Sequence, residues 1–195
     1  MGGTKQRILE AAIQAARRDG HRRSSVEEIA QAAGITRQAL YRHYPTKEDL
    51  FRASAALLHE RALAHAADQA GKAEGADAIF AMLHARYDYI IATIEGTHAQ
   101  ELIEESSRLC PDITDRSVRR FEALLCATIE AQRRGGRLAL RAGLTARALA
   151  QALMAAARGV KGAHPAPSRR RFKAALKRMV DLILEGAAAD ARMRR

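Results

Sequence analysis

The chain of 195 residues contains no tryptophan, four phenylalanines, four tyrosines, two cysteines and four prolines. The two cysteines, Cys110 and Cys126, lie in apolar helical contexts, so they read as small buried hydrophobes and exclude a disulfide scaffold. So few aromatic rings leave little from which to build a cage for a cationic ligand. No run approaches the ~18 apolar residues of a membrane-spanning helix. Residues 1–20 are charged throughout and lack an apolar core, which argues against a secretory signal. A cytoplasmic protein is expected. Catalytic signatures are missing as well: there is no G-x-S-x-G, no P-loop and no C-x-x-C. A histidine elsewhere in the chain does not make Cys110, beside Pro111, a nucleophile. Metal-ligand pairs stop at two, His98 with Glu101 and His84 with Asp88, whereas a site needs three or four. The sequence therefore predicts no enzyme, no metal and no cofactor.

What is present is positive charge and helical periodicity. Lys and Arg number 33 against 22 Asp and Glu, a net +11. The excess is uneven. Residues 1–52 hold ten basic and six acidic side chains, residues 53–157 hold twelve and thirteen, and residues 158–195 hold eleven and three. A basic front suits phosphate binding, whose affinity comes largely from counterion release. The basic end, with Arg169-Arg170-Arg171 and the tail 191–195, reads first as a solvated charged face.

Apolar residues recur at three-to-four-residue intervals along almost the whole chain, and period-two alternation is absent, so the fold class is all-α, with about nine helices. Thr4 caps a first helix ending at Gly20. A long fourth helix starts at Thr46 and Asp49 and runs to about Ala70. Others start at Asp77, at about Asp112 or Thr114, at Thr145 and at Ser168. The acidic residues Glu101, Glu104 and Glu105 fall opposite Leu102, Ile103 and Leu109. They read as an exposed face, with Glu104 paired to Arg108 at i, i+4.

The stretch from Ser25 to Leu50 carries the most information. Ser25 and Glu28 have the spacing of a capping box, and Val26, Ile29, Ala30 and Ala33 form one buried face behind it. Gly34 ends that helix, Ile35 plugs the turn, and Thr36 caps a second helix with Ala39, Leu40 and Tyr44 inward. Arg37, Gln38, Tyr41, Arg42 and His43 occupy its other face. Two helices, a glycine turn and a polar second helix describe a helix-turn-helix, whose second helix enters the major groove. Arg37 and Gln38, in its first turn, are the candidates for base readout, since Arg pairs bidentately with guanine and Gln with adenine. Ser25 and Thr36 offer hydroxyls and helix-start N–H groups to phosphates, and Lys47 adds a cation.

Ile8-Leu9-Glu10-Ala11-Ala12, Ile29-Ala30-Gln31-Ala32-Ala33-Gly34, Leu40-Tyr41-Arg42-His43-Tyr44 and Lys47-Glu48-Asp49-Leu50 together resemble the amino-terminal pattern of the TetR family of bacterial transcriptional regulators. The likeness covers residues 4 to 52. Ala39 stands where that family often has glycine, and Tyr44 where phenylalanine is commoner.

The resemblance implies a three-helix DNA-binding head, residues 1–48, and a helical effector-binding and dimerisation body, residues 49–190, followed by the tail 191–195. It gives Tyr41 and His43 phosphate-binding roles. It implies a homodimer on a palindromic operator, joined through the last two helices, here by Leu149, Leu153, Ala156, Phe172, Leu176, Met179, Val180 and Ile183. It also implies a pocket for an unknown small-molecule effector among Leu57, Leu58, Phe80, Leu83, His84, Tyr87, Ile91, Phe121, Leu125 and Met154. The expected function is a repressor released from DNA by that effector. An architectural DNA binder without sequence preference, or a small-molecule carrier that has lost DNA reading, remain the alternatives.

Overall fold

A computed structural model of the protein describes residues 2–96, 98–163 and 167–189. Pro165 and the basic tail 191–195 lie outside the described residues. Among these residues nine helices form and no strand does: α1 Gly2–Arg23, α2 Val26–Ala32, α3 Arg37–His43, α4 Lys47–Gly71, α5 Gly75–Ile94, α6 Ala99–Leu109, α7 Pro111–Arg134, α8 Ala146–Lys161 and α9 Arg169–Ala187. The all-α expectation holds.

Hydroxyl caps set several of the starts. Thr36 accepts from the Ala39 N–H at 3.1 Å, Thr145 from Ala148 at 3.1 Å and Ser168 from Arg171 at 3.4 Å. Thr46 and Asp49 form a reciprocal box: Thr46 Oγ1 accepts from the Asp49 N–H at 3.0 Å, and the Asp49 carboxylate accepts from the Thr46 N–H at 3.2 Å. The box at Ser25 is half made. Its hydroxyl accepts from the Glu28 N–H at 3.5 Å, whereas the Glu28 carboxylate turns to Arg18 at 3.4 Å. Gly34 closes α2 with φ of 69°, a conformation that costs any residue with a Cβ.

The chain divides into two compact units, residues 1–61 with 90–117 and residues 62–89 with 118–195. Packing thus groups residues differently from a cut at 48/49. In the first unit Ile8, Ala12, Ile29, Ala30, Leu40 and Leu50 form the core of the head, each at most 6% exposed. Leu102 of α6 is buried in the same unit. The second unit is built on Phe121, Leu125 and Ile129 of α7, Leu149 and Leu153 of α8, and Phe172, Leu176 and Val180 of α9, together with Ile79 and Leu83 of α5. The end of α9 is tied back by an antiparallel bridge between Leu140 and Ala188, flanked by Arg141 N–H to Ala187 O at 2.9 Å.

A polar junction joins α1 to α6 inside the first unit. Gly20 takes φ of 80° and kinks α1 there, so the helix passes the expected stop at Gly20 and ends at Arg23. A Cβ at Gly20 would collide with the Glu101 carboxylate. That carboxylate accepts from the Arg22 backbone N–H at 2.8 Å, and Glu105 accepts from the Arg22 guanidinium at 3.1 Å and from Arg108 at 2.7 Å. Glu105 is 3% exposed. The expectation of an exposed acidic face is therefore corrected. Glu104 accepts from Gln100 rather than pairing with Arg108, whose partner is Glu105, one residue closer. Helix phase explains the error: Glu101 and Glu105 share a face with Leu102, and α1 supplies the cation they need.

The junction also sets an acid sensitivity. His21 packs on Phe51 with ring centres 4.3 Å apart, and burial, aided by the charge of Lys47, holds its pKa below the ordinary 6.5. Burial does the same to His84 in the second unit. As pH falls through 6.5 the unfolded chain takes up these protons before the folded one, so stability must fall. The Arg22 N–H holds Glu101 below the ordinary 4.5, and Arg108 and then Arg22 do so for Glu105. Their stabilisation is full above 4.5 and is lost as pH drops through their lowered values. Thermal melts should accordingly show Tm falling between pH 7.5 and 5.5 and again below 4.5, with His21→Phe flattening only the first step. A Tm constant from pH 7.5 to 5.5 would contradict this account.

Candidate nucleic-acid interface

α3 is too short to stand alone, since helices under about a dozen residues are marginal in water. Its position comes from Leu40, 1% exposed in the head core, with Ala39 and Tyr44 beside it and Thr36 capping its start. With Leu40 turned inward, Gln38 and Arg42, two positions before and after it, turn outward. Arg37 and Gln38 are exposed in the first turn, and Tyr41 and His43 are half-exposed along the same helix. This is the arrangement expected of a recognition helix.

The polar residues are also prepared. The Arg37 guanidinium lies 5.5 Å from the centre of the Tyr41 ring, and a hydrogen bond to Tyr41 raises its pKa above the ordinary arginine range. Arg37 is thus charged at any working pH and restrained before it meets a ligand. The Thr36 oxygen accepts the Ala39 N–H, which leaves its own O–H to donate outward. Ser25, half-buried, is placed similarly at the start of α2. Both helix starts present backbone N–H groups that favour an anion.

Lys47 departs from the simple picture. It is half-buried and its ammonium donates to the Arg22 carbonyl at 2.9 Å, with burial lowering its pKa. One of its three donors is therefore engaged with the end of α1. The sequence signal for Lys47 as a cation at a helix start gave no hint of that bond, since its acceptor lies 25 residues earlier.

The remaining expected site residues lie outside this surface. In the first unit Leu57, Leu58 and Ile91 are half-buried. In the second, Leu83, Phe121, Leu125 and Met154 are buried at 0–3% exposure, while Phe80, His84 and Tyr87 are half-buried. Phe80 stacks on His84 with centres 5.6 Å apart, and Tyr87 tilts against Phe172 at 6.0 Å. Among the residues expected at a dimer interface, Leu149, Leu153, Phe172, Leu176 and Val180 are 0–1% exposed in the single chain. They pack α8 and α9 in one chain's own core, so these five side chains have no surface to give a partner. Ala156 and Ile183 are half-buried, and Met179 is 37% exposed. Among the described residues no group of three or more His, Cys, Asp or Glu is placed to hold a metal, and no helix is long and apolar enough to cross a membrane.

A glycine-turned pair of short helices, presenting a polar second helix from a small helical core, defines a helix-turn-helix DNA-binding head. The model of the bacterial regulatory proteins of the tetR family matches residues 8–54. The regulator AcrR of Shigella flexneri is 46% identical over 48 residues, 25% of this chain and 22% of that protein. TtgR of Pseudomonas putida is 26% identical over 124 residues, 63% of this chain and 59% of its own length. The matched segments thus span less than two thirds of both relatives. A TetR-family regulator from a Rhodococcus species shares the fold with a TM-score of 0.72 at 19% identity, over 94% of this chain and all of that one. SmeT, the repressor of a multidrug efflux pump of Stenotrophomonas maltophilia, shares it with a TM-score of 0.66 at 21% identity, over 96% and 91%. Over residues 8–54 the head thus matches the bacterial regulatory proteins of the tetR family, and the chain as a whole shares the fold of TetR-family structures.

We propose two kinds of contact, Gln38 with a base edge and Tyr41 with a phosphate. Replacing Gln38 by Ala removes one bidentate donor–acceptor pair, and binding to a specific duplex should weaken by about 1–3 kcal/mol with no change on random DNA. Replacing Tyr41 by Phe should weaken both equally. Fluorescence anisotropy on matched and scrambled duplexes measures each, and equal losses for Gln38→Ala on both duplexes would remove Gln38 from base readout.

Proposed function

We propose that the protein is a homodimeric repressor that reads a palindromic operator through two copies of α3 and is released from it by a small-molecule effector. The observation that carries this reading is the exposed first turn of α3, where Arg37 and Gln38 stand clear of a helix whose other face is locked by Leu40. Arg37 and Gln38 meet base edges, and Ser25, Thr36, Tyr41, His43 and Lys47 meet phosphates, which fix register without carrying sequence. The head spans residues 1–48, the effector-binding and dimerisation body 49–190. The protein acts in the cytoplasm, on the nucleoid.

One small head makes limited contacts, and a two-fold pair reading two half-sites supplies the rest. The outward faces of α8 and α9 support the dimer. Ala148, Ala152, Ala155 and Gly159 on α8 and Ala175, Met179, Leu182 and Gly186 on α9 recur at the same 4-3-4 spacing, and Leu182 is 63% exposed. Small residues let a partner helix approach closely. The pair takes over the interface role from the inward stripe of Leu149, Leu153, Leu176 and Val180. The effector is placed in the body near His84 and Tyr87, and it drives release only by binding the DNA-incompetent state better.

Selection of bound fragments from a sheared bacterial genome, at near-physiological salt, tests the reading. The unaltered protein should enrich one palindromic motif, and Arg37→Ala/Gln38→Ala should enrich none. Identical unpatterned recovery by both proteins would replace the regulator by an architectural binder, and no recovery by either would favour a carrier.

A further inference from the structure

Lys47, at the start of α4, is held by a bond that reaches outside the two helices of the reading head. Its ammonium donates to the Arg22 carbonyl at 2.9 Å. That carbonyl lies in the last turn of α1, where helix geometry leaves backbone acceptors without an internal partner and the helix dipole favours a cation. The same residue is gripped from α6 at two other points. The Glu101 carboxylate accepts the Arg22 N–H at 2.8 Å, and the Glu105 carboxylate, 3% exposed, accepts the Arg22 guanidinium at 3.1 Å. Arg108 steadies Glu105 in turn, donating to it at 2.7 Å. Gly20 makes the approach possible, since a Cβ there would take the place of the Glu101 carboxylate.

The N–H and the C=O of one residue are thus tied to two different helices, α6 and α4. Only the φ and ψ of Arg22 separate these groups, so fixing the N–H restricts where the carbonyl points. A free lysine stem gives up rotamer freedom when its ammonium meets a phosphate, whereas a tethered one has already given up much of it. The carbonyl takes one of the three ammonium donors and leaves two for an anion. We infer that Glu101, with Glu105 behind it, is a positioning residue for DNA binding: it fixes the Arg22 carbonyl that aims Lys47 at a phosphate. The phosphate contact rests on the function proposed above; the hold of α6 on Lys47 does not. Affinity for the DNA backbone is then set in part by α6, outside the 1–48 head.

Reach and charge are separable at Glu101. Glu101→Asp keeps the charge and draws the carboxylate back, Glu101→Gln keeps the accepting oxygen and loses the charge, and Glu101→Ala removes both. Lysine acetylation by N-hydroxysuccinimidyl acetate, read by peptide mass spectrometry well below Tm, follows the tether without DNA. Lys47 should react about two- to tenfold faster in Glu101→Asp and Glu101→Ala than in the unaltered protein. Glu101→Gln should match the unaltered protein, and the exposed Lys5 and Lys173 should not change in any variant. Anisotropy with a mixed-sequence duplex at low salt reads the phosphate contact. Glu101→Asp should weaken binding about two- to tenfold, with no further loss when Lys47→Met is already present. Glu101→Gln should bind at least as well as the unaltered protein, because losing an acid alone favours DNA. Lys47 acetylation unchanged in both Glu101→Asp and Glu101→Ala would overturn the tether. Duplex binding untouched by Glu101→Asp, or a loss as large with Lys47→Met as without it, would overturn the positioning role. A faster Lys47 in a chain that binds no duplex, altered or not, upholds the hold of α6 and overturns the DNA reading.

Discussion

The burial of Leu40 is the contact on which the DNA-reading surface depends. A seven-residue helix has too few internal hydrogen bonds to offset its nucleation cost, so α3 exists because the head core of Ile8, Ile29, Ala30 and Leu50 holds it. That one inward side chain fixes the helix phase. With the phase fixed, Gln38 faces outward, Arg37 is exposed in the open first turn, and Thr36 stands at the amino-terminal end, capping the helix. The chemistry of the interface is a consequence of packing on the opposite face.

A second constraint sits at the far end of α1. The kink at Gly20 brings the Arg22 N–H onto Glu101 and its guanidinium onto Glu105, and the Arg22 carbonyl holds Lys47 at the start of α4. Three helices of the first unit therefore meet around one residue. Glu105 is almost fully buried, and such a carboxylate is tolerable only because two arginines neutralise it. Removing either arginine leaves that buried carboxylate with half its compensation.

Much of this was legible from residue order because it is governed by local rules. Thr36, Thr46, Thr145 and Ser168 cap the helices they were expected to cap, since the bond spans three residues and needs no tertiary context. The apolar periods gave the helices, and the spacing around Gly34 gave the head. The failures share one cause, contact between distant segments. Glu101 and Glu105 look like a solvated face until α1, some eighty residues earlier, supplies Arg22. The stripe of Leu149, Leu153, Leu176 and Val180 has the periodicity of any apolar helix face, and periodicity does not say whether it faces its own chain or another. In the single chain that stripe is buried.

Base readout in the major groove is the central claim, and methylation interference on a selected operator tests it most directly. Methylation of guanine N7 removes the acceptor an Arg37 guanidinium uses while leaving every phosphate in place. The account predicts strong interference at guanines in two half-sites related by two-fold symmetry, about one helical turn or a multiple of it apart. Binding that is indifferent to methylation at every guanine of the operator would contradict it.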